Sequence, residues 1–198
     1  MFPSILKSIM SSRIKVAVVC GSPHTPSRTR VLLDALHKEV NKHIPLESAF
    51  VDLVELVSDI GPALSKDALN PRALNALASI EQADFLIVGS PVYRGGLPGL
   101  FKHLFDLVDM QSLTGKPVLL AATGGSDRHS LVIDHQWRPL LGFFQALTLP
   151  IGVYAGPDDI ANGEVTSSAL EERIALAIKL ALPHLGKGEG TGDWYKYA

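Results

Sequence analysis

Ser22, Ser27, Arg28 and Thr29 place three hydroxyls and one guanidinium within eight consecutive positions of the chain. They follow the apolar run Val16–Cys20, which stops at Gly21, and they precede a segment of helical spacing. Hydroxyls, a permanent cation and the unpaired backbone N–H groups of a helix start suit an anion, most often a phosphate. Pro26 fits a first helical position, because its missing N–H would be unpaired there, and this predicts Thr25 as the N-cap. Three better-marked phosphate loops do not fit. There is no lysine or second glycine for a Walker loop, and Gly21 alone cannot make the Gly-x-Gly-x-x-Gly fingerprint. The eight-residue step from Cys20 to Arg28 is too long for the loop of a tyrosine phosphatase. The alternative is an ordinary strand–helix turn whose hydroxyls only cap the helix.

A second group begins where the apolar run Asp84–Val88 reaches Gly89-Ser90-Pro91-Val92-Tyr93-Arg94-Gly95-Gly96-Leu97-Pro98-Gly99. Two prolines and several glycines make a tight backbone against which a flat ring can lie, with N–H groups free to meet its heteroatoms. A third run, Lys116–Thr123, ends in Gly124-Gly125.

These groups need a scaffold that carries all three to one place. Continuous apolar runs ending in glycine are buried parallel strands. The chain alternates such runs with helical patterns. Helices are predicted over Pro26 to about Lys42, Arg72–Gln82, Leu97–Met110, Val132–Ala146 and Ser168 to about Leu182. A second strand is predicted in Phe50–Val54 and a fifth over Leu149–Ala155, with Gly61–Asn70 as loop. Five strands alternating with helices make an α/β, doubly wound parallel sheet with helices on both faces. Its ligands bind beyond the carboxyl ends of the strands, and that edge carries all three groups.

The chain has 198 residues, 46% hydrophobic and 19% charged, enough for one domain with a sizeable core. The expected division is a flexible extension over 1–12, a single domain over 13–186 and a flexible tail over 187–198. A net charge of -2 provides no basic field for nucleic acid and no acidic face like that of a small electron shuttle. One cysteine leaves no internal disulfide and suits a reducing, cytoplasmic setting. No apolar run approaches membrane-spanning length, so no membrane partner is expected. The seven histidines show no metal-ligand spacing, and no metal is expected.

The pair Gly21-Ser22-Pro23…Ser27-Arg28 and Gly89-Ser90-Pro91-Val92-Tyr93, with the helix start Leu97-Pro98-Gly99-Leu100-Phe101-Lys102, resembles the NAD(P)H-dependent FMN reductase family. The similarity runs from about Ile14 to Leu185. It is nearest to the reductases that supply reduced flavin to alkanesulfonate or methanesulfonate monooxygenases. The resemblance implies a flavodoxin-like fold and hydride transfer from NADH or NADPH to FMN, with FMNH2 released to a partner monooxygenase. It further implies phosphate contacts from Ser22, Ser27, Arg28 and Thr29, with His24 nearby. Pro91, Val92, Tyr93, Arg94 and Gly95 would lie along the isoalloxazine, and Thr123, Gly124 and Gly125 would complete the pocket, which His129 borders. Because the cofactors exchange the hydride between themselves, no dedicated catalytic residue is expected.

In the sulfonate-linked reductases an inserted residue creates a widened helical turn at the subunit interface, associated with flavin release. The matching region here is Asp134–Pro139, with His135 at the inserted position. Trp137, Phe143 and Phe144 are more aromatic surface than one sheet-facing stripe should bury, and this predicts a homo-oligomer, a homotetramer by resemblance. Two other functions fit the same residues. One is a quinone or azo-compound reductase that keeps its FMN, and the other is a flavin electron carrier without enzymatic activity.

Overall fold

Strands too apolar to face water on either side form the middle of the molecule, seen here in a computed structural model that describes residues 13–185. The segments 1–12 and 187–198 lie outside the described residues. Strands β1 (Ile14–Cys20), β2 (Leu46–Asp52), β3 (Phe85–Pro91) and β4 (Pro117–Thr123) run parallel in the spatial order β2-β1-β3-β4. Val18 lies opposite Phe50 on one side and Ile87 on the other, and Val88 lies opposite Leu120. The order reverses between β1 and β3, so the crevice for a ligand opens beyond their carboxyl ends.

The expected fifth strand, Leu149–Ala155, is a pair of short ones, β5 (Leu147–Thr148) and β6 (Val153–Ala155), both on the far side of β4. Pro150 has no N–H to continue a ladder, and the chain bows between the two. The carbonyls freed there are received by guanidiniums. Arg138 donates to Leu149 O (2.9 Å) and Pro150 O (2.8 Å), and Arg173 donates to Gly152 O (3.0 Å).

Helices α1 (Arg28–Asn41), α2 (Leu53–Ile60), α3 (Pro71–Gln82), α4 (Gly99–Asp106), α5 (Arg138–Phe143) and α6 (Ser168–Ala181) cover the sheet. Leu33, Leu36, Ile174 and Ile178 from α1 and α6 close one face over Val16, Val18 and Ile87. Leu56, Leu77, Phe101 and Trp137 belong to the other layer, over Ala17, Val19 and Leu120.

Three further expectations change. The N-cap of α1 is Ser27, not Thr25: its backbone is extended and its side chain accepts from Arg30 N at 3.3 Å, so Pro26 precedes the cap. The second strand ends at Asp52, and Leu53-Val54 open α2, whose apolar residues Leu53, Leu56 and Ile60 take helical spacing against the core. The helix expected over Val132–Ala146 is a π-helical turn, Ile133–Trp137, followed by α5, with Pro139 in its first turn.

That turn changes the account of the aromatics. Trp137, Leu141 and Phe144 recur at steps of four and three and share one stripe, and all three are buried. Trp137 packs edge-on against Phe101 (5.1 Å between centroids) and Phe105 (5.9 Å), and Phe144 against Phe105. Phe143 alone is left out, 64% exposed. A hairpin, β7 (Ile160–Ala161) with β8 (Glu164–Val165), turns at Asn162-Gly163, both in the left-handed region that a two-residue hairpin requires. Among the described residues no helix is long and apolar enough to cross a membrane.

Candidate functional site

The first turn of α1, the carboxyl end of β3 and the carboxyl end of β4 meet at one edge of the sheet, and short backbone bonds stitch them together. Gly21 N donates to Gly89 O (2.7 Å), Val92 N to Thr123 O (2.8 Å) and Gly124 N to Ala155 O (3.1 Å). Gly21 is glycine for a plain reason: a Cβ there would stand 2.1 Å from the ring of Phe101.

In the first loop, Ser22 is buried and its hydroxyl donates to His24 O (3.0 Å) while accepting from His24 N (3.3 Å). Ser27 caps α1. The Thr29 hydroxyl is buried against that of Thr123 at 2.7 Å, so the helix start is tied to the end of β4. Thr29 can present its backbone N–H to an anion, and its hydroxyl proton as well where Thr123 is the donor of that pair. Arg28 donates through Nη2 to Gly156 O, just past β6. Its Nε is buried and has no hydrogen-bond partner among the described residues. A buried guanidinium N–H without an acceptor, one residue after an N-cap, fits a phosphate oxygen in charge and in donor type.

The second loop is a two-residue hairpin. Tyr93 N donates to Gly96 O (2.9 Å) and Gly96 N to Tyr93 O (3.0 Å), with Arg94 (φ 53°) and Gly95 (φ 81°) at the tip. Positive φ at both tip residues is the geometry whose twist matches the flanking chain. Tyr93 is 40% exposed, and its ring centroid lies 6.5 Å from that of His24, which brings the first two loops face to face. Pro91 and Val92 lead into the turn. The Ser90 hydroxyl, at the end of β3, is buried without a hydrogen-bond partner among the described residues.

The third loop carries Thr123, Gly124 and Gly125 into a short 3-10 turn, Asp127–His129. A Cβ on Gly124 would come within 2.1 Å of the Tyr154 hydroxyl, which donates instead to Ser126 O at 2.6 Å. His129 is half-buried in this loop, and His135 is exposed in the π-helical turn. The three loops are thus brought together as expected, whereas His135 stands on a separate element.

Sequence reasoning missed Gly156, Asp159 and Gln136. Asp159 accepts from Gly156 N (2.7 Å) and shapes the carbonyl that Arg28 meets. Gln136 reaches the second loop from the π-helical turn. Such contacts join distant segments, and no local spacing announces them.

Cys20, at the end of β1, is buried, and burial pushes its thiol up to about 11. It is not a nucleophile. Iodoacetamide at mildly alkaline pH should leave native protein unmodified and alkylate the one thiol after denaturation. Rapid modification of native protein, followed by mass spectrometry, would contradict the burial.

Comparison with known proteins extends this picture. The family described as NADPH-dependent FMN reductase matches residues 14–159. NADH-dependent FMN reductase SfnF of Pseudomonas fluorescens is 52% identical over 89% of this chain and 95% of its own. A protein of Pseudomonas aeruginosa described as FMN reductase (NADPH) is 49% identical over the same shares. Among solved structures, an oxidoreductase from Corynebacterium diphtheriae superposes with a TM-score of 0.78 at 32% identity, over 88% of this chain and 98% of that one.

Proposed function

We propose a function from one premise: the chain belongs to the NADPH-dependent FMN reductase family. It is an NAD(P)H-dependent FMN reductase of flavodoxin-like fold, whose substrates are FMN and NADH or NADPH. The observation that carries this reading is the buried Nε of Arg28 at the start of α1, without an acceptor among the described residues, at the sheet edge that also carries the Tyr93–Gly96 turn.

Within this reading the flavin phosphate is held by Arg28, by Ser22 and Ser27, and by the N–H of Thr29, with His24 at the rim. The ring lies along Pro91, Val92, Tyr93, Arg94 and Gly95, and Thr123, Gly124 and Gly125 close the pocket that His129 borders. When both cofactors are bound, the chemistry supplied is hydride transfer from reduced nicotinamide to the flavin ring. The protein's part is to orient the ring, aim N–H dipoles at it and leave one face open, with Tyr93 as the aromatic plate on the other. No side chain of the site is needed to move a proton.

The same reading takes FMN as a substrate that leaves. FMNH2 then passes to a flavin-dependent monooxygenase, of sulfonate sulfur assimilation by the resemblance of the two loop motifs. We place the protein in the cytoplasm as a homotetramer. The exposed Leu131, Phe143 and Leu147, around the π-helical turn, support an interface there, and light scattering should return four times the chain mass. His135 in that turn is assigned to flavin release.

The deciding experiment dialyses purified protein, records its visible spectrum and follows oxidation of NADH and of NADPH with added FMN. Colourless protein and a rate that saturates with FMN are expected, and deleting His135 should leave flavin bound through dialysis. Wild-type protein that stays yellow and reduces quinones or azo dyes would replace this reading with the flavin-retaining reductase. No nicotinamide oxidation at all would leave an electron carrier.

A further inference from the structure

We propose that Gln136 is a positioning residue: from the π-helical turn it clamps the Tyr93–Leu97 turn in its ring-binding shape and so sets affinity for the flavin ring. This rests on the flavin reading above.

The turn has a conformation that needs holding. Arg94 sits at φ 53°, in a region that residues other than glycine occupy only when their surroundings impose it. Beyond the bonds between Tyr93 and Gly96, the hydrogen bonds to the turn's backbone among the described residues come from one side chain. Gln136 Oε1 accepts from Leu97 N at 2.8 Å, and Nε2 donates to Gly95 O at 3.3 Å. The two bonds bracket the turn and settle the orientation of the amide, because flipping it would set N–H against N–H and oxygen against oxygen. The amide also fills the space over Gly96, where a Cβ would stand 2.9 Å from both its oxygen and its nitrogen. Glycine at 96 is therefore required by the clamp and not by φ.

The reach of Gln136 depends on the register of its helix. Its neighbour Trp137 is wholly buried among Phe101 and Phe105, which pins the turn to the core. Taking one residue out of the Ile133–Trp137 turn would rotate what precedes the cut by about 100° relative to α5. Gln136 lies between His135 and Trp137, so a residue removed at His135 leaves it in register with α5 and the clamp in place.

The test titrates FMN and riboflavin, by quenching of flavin fluorescence, into wild-type protein, Gln136→Ala and Gln136→Met. Methionine keeps the length and bulk and removes both hydrogen bonds. Both variants should weaken FMN and riboflavin by one common factor, about five- to thirtyfold, because the ring is shared and the phosphate is not. Thermal unfolding of the flavin-free variants should match wild type. A methionine variant that binds like wild type reduces Gln136 to space filling and overturns the clamp, and a loss confined to FMN overturns its assignment to the ring. Wild-type protein that binds neither flavin overturns the flavin reading and the clamp with it.

Discussion

Arg28→Ala should weaken FMN binding about ten- to hundredfold and leave riboflavin binding nearly unchanged. A charge-assisted hydrogen bond is worth about 1.5–3 kcal/mol when its partner is removed from a partly buried site, and 1.4 kcal/mol is about one decade in affinity. The selectivity between the two flavins follows from where Arg28 stands. It is one residue past the N-cap, its Nε is buried without an acceptor, and its other end is fastened to Gly156 O. Arg28→Lys should recover the charge but not the fork of donors, and so only part of the affinity. The pattern is opposite to that of Gln136, whose loss should reach both flavins equally. Equal losses for FMN and riboflavin in Arg28→Ala, measured by the same titration, would remove the phosphate from this loop.

The largest effect on stability is expected at Trp137. Replacing it by alanine should cost about 3–5 kcal/mol, the range for emptying a large aromatic site that cannot collapse. Trp137 is fully buried with two edge-on rings against it, and it joins the π-helical turn to the layer of helices under the site. For a chain of this length the loss lowers the unfolding midpoint by roughly 6–20 °C. Trp137→Phe should cost much less, since the indole N–H has no partner among the described residues to lose. A loss below about 1 kcal/mol for the alanine variant, read by denaturant unfolding, would show that the cluster is looser than its geometry.

Much of this architecture was legible in the chain, and the failures have physical causes. β1, β3 and β4 are buried on both faces and read as apolar runs; β1 and β4 stop one residue before a glycine, and β3 has Gly89 within its last three residues. That places all three loops at one edge before any coordinates. Around Asp52 the same rule misleads, because Phe50 to Val57 is mostly apolar and fits the end of a strand or the start of a helix equally well. Pro26 carried a sound signal for a helix start and still misplaced the cap, since Ser27 could extend its backbone and bond Arg30 N. The Asn162-Gly163 hairpin was readable in principle from its two turn residues. Gln136 was not, because its partners are some forty residues away along the chain.

The break between β5 and β6 has a consequence for how these molecules meet one another. An open sheet has two outer margins, and each is a template on which a foreign strand can pair. Beyond β4 that template is cut into segments of two and three residues, and the bowed chain between them has carbonyls already taken by Arg138 and Arg173. A visiting strand finds too few consecutive free groups to zip along it. The opposite margin, β2, is seven residues long and unbroken. Any strand-to-strand clumping of the folded protein should therefore begin at Leu46–Asp52 and leave the β5–β6 side clean.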